Sequence, residues 1–599
     1  MSDIAWLLAQ GDVVGANECL TVRRSSKSDD PQELLLWSRV MMMRGRLGQA
    51  REALGRALKI APEFVEAQVE CARAMWCDGE YEQALRQYAE TYALAKPSSP
   101  WILEYVERLA QHERMIDAIE VADRYCQAMP ADAAGWFWLG YVLQIAGHAI
   151  QARDAYRRCE RLVSDQAMLK NNLAALHLQL EECETAQFYA EEAILDEPSS
   201  ALAWSNLAAA HLKQGRIDAA ECAIERAMML KPDYPTALQT YSYVCKERQN
   251  WNQARASLMR AHALSPHDWP IRWSLAMLQL LFGEYEAGWR NFEYRWQAGE
   301  LKGKWPTLPA PVWQGESLEG KTLFIWSEQG YGDVLQLIRF VPRLAGHVHR
   351  QGGRLTCCVF PPLLSLLARS IGAVVDGLLP SSIANLPTCD YHLPLGSVPL
   401  RLNVGMEDVS DAIVYLKPDP ERIARWRHRL GDTKKLRVGV VWSGSRSHQR
   451  NRMRSIEPEQ LGMALAGTRD IEFFNLQVDA SNDLELLRMS GLELKDHTAE
   501  FYTFDDTAAY LSNLDLVVTV CTSIAHLAGG LGKPTWLLLD VNPHWVWMTD
   551  REDSPWYPSI RLYRQETFGE WGAVLERIKT DLAQEAGCRV DHDAARAGE

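Results

Sequence analysis

The sequence predicts an α-helical solenoid followed by an α/β half built from two doubly wound subdomains with a cleft between them. Three observations predict it. A small residue recurs every 34 positions through the first half of the chain. Helix-ending prolines keep phase with it. Beyond residue 320 the pattern changes to short apolar runs alternating with amphipathic segments, the mark of a parallel sheet covered by helices.

The small column is Ala16, Ala50, Ala84, Ala118, Ala152, Ala186, Ala220 and Ala254, with Gly288 in the next place. A period of 34 is that of the tetratricopeptide (TPR) repeat, a helix–turn–helix unit. The small side chain is needed where the two helices of a unit cross closely. Pro62, Pro130, Pro198, Pro232 and Pro266 follow the column by twelve residues, with Pro97 one place late. Pairs such as Leu139-Gly140, Leu173-Ala174 and Leu207-Ala208 precede it. The repeats are assigned to 1–298, where the aromatic stretch LLFGEYEAGWRNFEYRW is expected to cap the array against the next domain. Solenoids bind other proteins along a concave face, so this region is read as the site for an acceptor protein, with self-association through the repeats a further expectation. Asn172 and Asn206 occupy equivalent positions on successive first helices. Two stacked amides could hold an extended peptide backbone; ordinary solvent-facing asparagines fit the same pattern.

A Pro/Gly/Trp-rich linker is assigned to 299–320 and a first α/β subdomain to 321–410. KTLFIW, RLTCCVF and YHLPL read as its strands, VLQLIRFVPRLA and PPLLSLLARS as its helices. A second subdomain is assigned to 411–588. LRVGVVW, IEFFNLQ, DLVVTV and PTWLLL are its strands, and DPERIARWRHRL, EPEQLGMALA, DDTAAYLSNL and TSIAHLAGGLG its helices. Residues 589–599 read as a disordered tail. The α/β half alone is expected to retain binding of its small-molecule ligand.

Composition narrows the function. The 599 residues carry a formal net charge of −15, which argues against general nucleic-acid or anionic-membrane binding. No uncharged apolar stretch of about 18 residues is present, so no membrane span is expected. The first residues carry an early Asp and no basic region, unlike a signal peptide. The 13 cysteines are scattered with no C-x-x-C, which reads as a reduced, cytoplasmic setting.

Three motifs follow strands. Ser327-Glu328-Gln329-Gly330-Tyr331-Gly332-Asp333 joins a strand to a helix; its glycines, Gly330 and Gly332, permit a tight turn. Asp333 reads either as a general base at the strand end or as a helix cap. Ser443-Gly444 leads into Arg446-Ser447-His448-Gln449-Arg450-Asn451-Arg452-Met453-Arg454. Arginine forks bind phosphate or carboxylate; a solvated charge run is the plainer reading. Cys521-Thr522-Ser523-Ile524-Ala525-His526 opens a helix whose free N–H groups, with Thr522 and Ser523, suit an anion, and His526 lies one turn in. Gln477 follows a neighbouring strand and is placed in the same site. No Walker A, H-E-x-x-H or G-x-S-x-G is present.

These motifs resemble the heptosyltransferase-like glycosyltransferases of the two-domain GT-B type, whose halves are Rossmann-like. GYGDVLQLIRFVPRL is similar to that family's first-strand motif, which implies Asp333 as catalytic base. RSIEPEQL resembles its phosphate-contacting segment and implies Arg454. CTSIAHLAGGLGKPTW resembles its donor-nucleotide motif; Thr522 and His526 match, and Cys521 stands where an Asp is usual. The layout is similar to that of bacterial TPR-containing protein glycosyltransferases, including those that modify flagellin, and of the O-linked N-acetylglucosamine transferases, whose repeats carry an asparagine ladder. The resemblance implies an inverting, metal-independent protein O-glycosyltransferase with no cofactor. Its donor is a nucleotide sugar bound by Gly330, Gly332, Ser443, Arg446, Arg450, Arg454, Gln477, Thr522, Ser523 and His526. Its acceptor is a Ser or Thr of a protein, flagellin first. A CMP-activated nonulosonic acid would give Arg446, Arg450 and Arg452 a carboxylate to bind. The alternatives are a transferase for glycolipid or polysaccharide, and a TPR scaffold with an inactive transferase domain.

Overall fold

The structure is a computed structural model that describes residues 2–22, 28–163, 167–301, 304–306, 308–382, 387–410, 414–446 and 448–597. The chain divides into two compact units, Met1–Gln214 and Gly215–Glu599. The division expected after residue 298 therefore falls inside the second unit.

The first unit is a run of helix pairs, among them Pro31–Met43 with Leu47–Ile60, Val65–Cys77 with Tyr81–Leu94, and Ala133–Ile145 with Ala149–Leu162. Every member of the alanine column from Ala16 to Ala254 is fully buried. Gly140 shows why the crossings demand small residues, since a Cβ there would lie 2.5 Å from the Tyr156 ring. A second column accompanies it. Gly11, Gly45, Gly79, Glu113, Gly147, Glu181, Gly215, Gln249 and Gly283, each 34 residues after the last, all adopt positive φ at the turn between paired helices. That left-handed turn is the usual end of a helix and favours glycine; Glu113, Glu181 and Gln249 adopt it at a cost of about 1 kcal/mol.

The expectation of paired open amides at Asn172 and Asn206 is corrected at Asn206. Asn206 is buried and donates Nδ2–H to the Asn171 carbonyl at 3.1 Å. Asn172, beside Asn171 on the same helix, is half-buried. The Asn206 amide serves a joint between repeats, because at this register successive first helices press against each other.

The second unit begins with the helices Ile217–Leu230, Pro235–Glu247, Trp251–Leu264, Trp269–Leu281 and Tyr285–Phe292. Two wholly parallel sheets follow. Strands β1 (Thr322–Trp326), β2 (Arg354–Val359), β3 (Gly377–Pro380) and β4 (Tyr391–Pro394) form the first, in the order β3-β2-β1-β4. Strands β5 (Leu436–Val441), β6 (Ile471–Asn475), β7 (Leu494–Lys495), β8 (Leu516–Val520), β9 (Thr535–Leu539) and β10 (Ile560–Arg564) form the second. Its order, β10-β9-β8-β5-β6-β7, is the doubly wound dinucleotide-fold order with the switch point between β5 and β8. Both faces of this sheet are covered, so β5 and β8 are buried at every residue.

One core runs from the repeats through the first sheet and onto one face of the second. Trp289 sits in it, donating Nε1–H to the Val404 carbonyl at 3.1 Å and meeting the Trp545 ring edge-on at 5.4 Å. Trp556 donates to the Tyr285 hydroxyl at 2.8 Å. The residues assigned to a linker also pack: Trp313 is buried and its N–H donates to the His392 carbonyl at 2.9 Å. The last helix, Gly572–Ala597, runs on through residues 589–597, where a disordered tail is expected from sequence. Among the described residues no helix is long and apolar enough to cross a membrane.

This core makes a direct prediction. Residues 301–599 lack the helices that bury Trp545 and Trp556, so that fragment is expected to aggregate, whereas 215–599 stays soluble and monodisperse by size exclusion. In the full chain, Trp289→Ala should cost about 3–5 kcal/mol, read as a lower denaturant midpoint of the transition reported by near-ultraviolet circular dichroism.

Candidate functional site

The carboxyl ends of both sheets face one cleft of about 940 Å³. Its wall comes from the loops after β1, β5, β6 and β8, with His544 beyond β9. Such exits at a switch point are where doubly wound sheets bind ligands.

From the first sheet come Gly330, Gly332 and Asp333. The Asp333 carboxylate, half-buried, accepts the Gly330 N–H at 3.0 Å and so caps helix Tyr331–Leu337 while lining the cleft. Cap and cleft residue are thus one group. Gln329, just before it, adopts φ 60°, a strained conformation for a non-glycine residue. Gly332 lets the two halves meet, because a Cβ there would lie 3.0 Å from the His526 ring.

From the second sheet, Thr522 caps helix Ser523–Gly530 by accepting the Ile524 N–H at 3.2 Å. His526 is buried, lies nearly parallel to the Trp547 ring at 5.2 Å, and shares a 2.9 Å hydrogen bond between Nδ1 and the Tyr557 hydroxyl. Gly529 makes that possible, since a Cβ there would strike the Tyr557 ring at 2.3 Å. Cys521 accepts the Trp547 Nε1–H at 3.1 Å, and burial pushes its thiol up, so it offers the cleft no negative charge at neutral pH.

After β5, Ser443 and Gly444 are fastened from two sides. The Gln477 Oε1 accepts the Trp442 and Ser443 N–H groups at 3.2 and 2.9 Å. The Asn451 side chain bonds Gly444 N–H and Ser443 Oγ at 2.9 and 3.1 Å. Arg454 packs against Gly444; among the described residues its guanidinium makes no salt bridge, and its Nε is buried without a hydrogen-bond partner. Arg446 is exposed at the rim.

Ten of the eleven residues expected at the catalytic and donor site line this cleft. Arg450 is the correction. Its guanidinium pairs with Glu247 and with Asp540, the latter at 2.6 Å, and does not line the cleft. Two buried carboxylates draw it away. Ser447 lies outside the described residues. The structure adds His448 and His544, the aromatic group Phe501, Tyr502 and Phe504, and the acids Asp479 and Asp483. His544 follows a strand, the one signal that marks it in sequence.

Three histidines of the cleft resist protonation. Burial, then Arg454 and Arg450, hold His448 down at about 4. Burial, then His448 and Arg454, hold His544 at about 3. Burial also holds His526 well below its ordinary value. Among the described residues no group of three or more His, Cys, Asp or Glu side chains is arranged to hold a metal ion.

Comparison with known proteins agrees with the repeats. The tetratricopeptide repeat model matches residues 39–100 and 171–235. Protein FlbA of Caulobacter vibrioides is 27% identical over 344 residues, 53% of this chain and 56% of its own. The chain thus spans little more than half the length of that curated relative. A TPR protein from Parabacteroides merdae aligns with a TM-score of 0.38 at 12% identity, over 41% of this chain and 98% of its own. The APC/C hetero-tetramer Cut9-Hcn1 aligns with a TM-score of 0.32 at 16% identity, over 45% of this chain and 59% of that one. The chain carries tetratricopeptide repeats, a fold that serves protein–protein interaction.

The histidines set a pH dependence. The unfolded chain takes up protons on them below about 6.5, while the folded chain resists until about 4 at His448 and about 3 at His544. Stability is therefore complete above pH 6.5 and falls as the pH drops through that window. Thermal unfolding between pH 7 and 4 should show a shallower slope in His448→Gln and His544→Gln than in the wild type; identical slopes would refute the assignment.

Proposed function

We propose that this protein is an inverting, metal-independent protein O-glycosyltransferase of the GT-B type, working in the cytoplasm. One observation carries the reading: Asp333 from one parallel sheet and Arg454, Thr522, Ser523 and His526 from another line a single cleft. A transfer needs an acceptor side with a base and a donor side with anion-binding groups. In this reading the nucleotide sugar lies against the second sheet, its phosphate near Arg454 and the first turn of helix Ser523–Gly530. Asp333 takes the proton of an acceptor Ser or Thr hydroxyl, whose oxygen attacks the anomeric carbon as the bond to the nucleotide phosphate breaks. The repeats hold the acceptor protein and raise its local concentration at the cleft. Flagellin is the first acceptor to test, on the resemblance in layout. With Arg450 engaged elsewhere, Arg446 at the rim and Arg454 are the cations left for an acidic sugar.

Two measurements test this. Comparing intact masses of flagellin and surface proteins with and without the gene should reveal a loss equal to one or more sugar units. In the isolated protein, Asp333→Asn should lower turnover by about 10²–10⁴-fold with donor affinity little changed, and activity should survive EDTA. Arg454→Ala should weaken donor binding by about 1.5–3 kcal/mol. Unchanged masses together with no nucleotide binding by calorimetry would instead favour a scaffold.

A further inference from the structure

Arg450 turns from the cleft into a buried network that joins three separate elements. Its guanidinium forks onto both carboxylate oxygens of Glu247, the last residue of repeat helix Pro235–Glu247, and also reaches Asp540 beyond β9. Asn542 Nδ2–H donates to the same Glu247 carboxylate at 2.7 Å. The Glu247 side chain is 3% exposed and that of Asp540 6%. Carboxylates this deep persist only with such partners, so the loop after β5 is pinned to the repeat helix at Arg450.

The pin acts on the cleft through the main chain. The Arg450 N–H donates to His448 Nδ1 at 3.1 Å. His448 N–H donates to the Ser445 carbonyl at 3.0 Å, and Asn451 N–H to the His448 carbonyl at 2.8 Å. With Nδ1 accepting, a neutral imidazole carries its proton on Nε2. His448 lines the cleft beside Arg454. The charged and titratable groups that act on His448 are Arg450 and Arg454 of its own loop and His544 beyond β9, while Lys246, Glu247 and Asp540 surround Arg450 behind it.

We propose that His448 donates its Nε2–H to a phosphoryl oxygen of the nucleotide sugar, and that Glu247, acting through Arg450, is the positioning residue that holds it there. The last repeats are then part of the ligand site as well as the neighbour of the acceptor site. The proposal rests on the nucleotide-sugar reading above. His448 serves as an uncharged donor beside the cation Arg454, so an incoming dianion meets N–H groups without a second fixed charge. Glu247 does not touch the ligand.

The test uses the full chain, with CMP, UDP, GDP and inorganic pyrophosphate as probes in calorimetry. Glutamine at 448 places an amide N–H near the Nε2 position, and asparagine places one near Nδ1. His448→Gln should bind within about threefold of wild type, whereas His448→Asn and His448→Ala should bind about 10- to 100-fold more weakly. Glu247→Gln should lose about tenfold, and adding it to His448→Ala should cost nothing more. Nitrogen NMR of histidine-labelled protein should show a fixed Nε2–H tautomer at His448 that becomes mixed in Glu247→Gln. If Glu247→Gln does not fold, Asp540→Asn loosens Arg450 from the other side, and the Gln/Asn contrast at 448 needs neither. Equal nucleotide affinity in all the variants overturns the proposal and leaves the nucleotide reading intact. Pyrophosphate binding with the expected pattern, but no nucleotide binding, supports the histidine site and removes the nucleotide reading. No binding of any probe overturns both.

Discussion

The Trp289 indole and the apolar seam around it hold a helical array and a parallel sheet in one core. An array of repeats buries its faces only against its neighbours, so its last member leaves an open face. Here Tyr285, Trp289 and Phe292 close that face against Trp545, Trp556 and the first sheet. The consequence reaches the cleft from both sides. Arg295, just past Phe292, is buried and donates from Nε and Nη2 to Glu328 Oε1 at 3.1 and 2.8 Å. Glu328 directly precedes Gln329 and the Gly330–Asp333 turn. On the other side Glu247 holds the loop that carries Arg454. Both cleft walls are thus fastened to the final repeats, which belong to the same compact unit, Gly215–Glu599.

How far the sequence is legible follows from the range of each interaction. The alanine column is legible because crossing distance acts at every repeat and admits only small residues. The left-handed turn column is half legible: Gly45, Gly79 and Gly147 mark it, but Glu113, Glu181 and Gln249 tolerate the same backbone and hide it. Strands buried on both faces, such as β5 and β8, stand out as nearly continuous apolar runs, broken by Arg437 and Thr519 alone. Strands β3, β7 and β10 lie at sheet edges or are too short to form such a run. The ten cleft residues were legible because exit loops of parallel strands gather at one edge, whatever the loops contain. Arg450 was not, since its partner stands 203 positions earlier in another kind of structure. A run of four arginines reads as one patch, yet only the three-dimensional positions of Glu247 and Asp540 separate Arg450 from Arg454.

The acidic balance of the chain and the character of the cleft also separate. The chain as a whole carries a formal charge of −15, whereas the cleft sets Arg446 and Arg454 beside three imidazoles kept neutral and the carboxylates Asp333, Asp479 and Asp483. Arg454 is the pivot, because it depresses all three histidines and has no carboxylate partner among the described residues. Asp540 is paired with Arg450. The ion pair with the repeats fixes the loop that carries Arg454 and leaves both buried carboxylates matched by Arg450. Buried ion pairs add little to stability against an apolar alternative, so the value of this one lies in where it fixes the loop between the repeat helix and the second sheet.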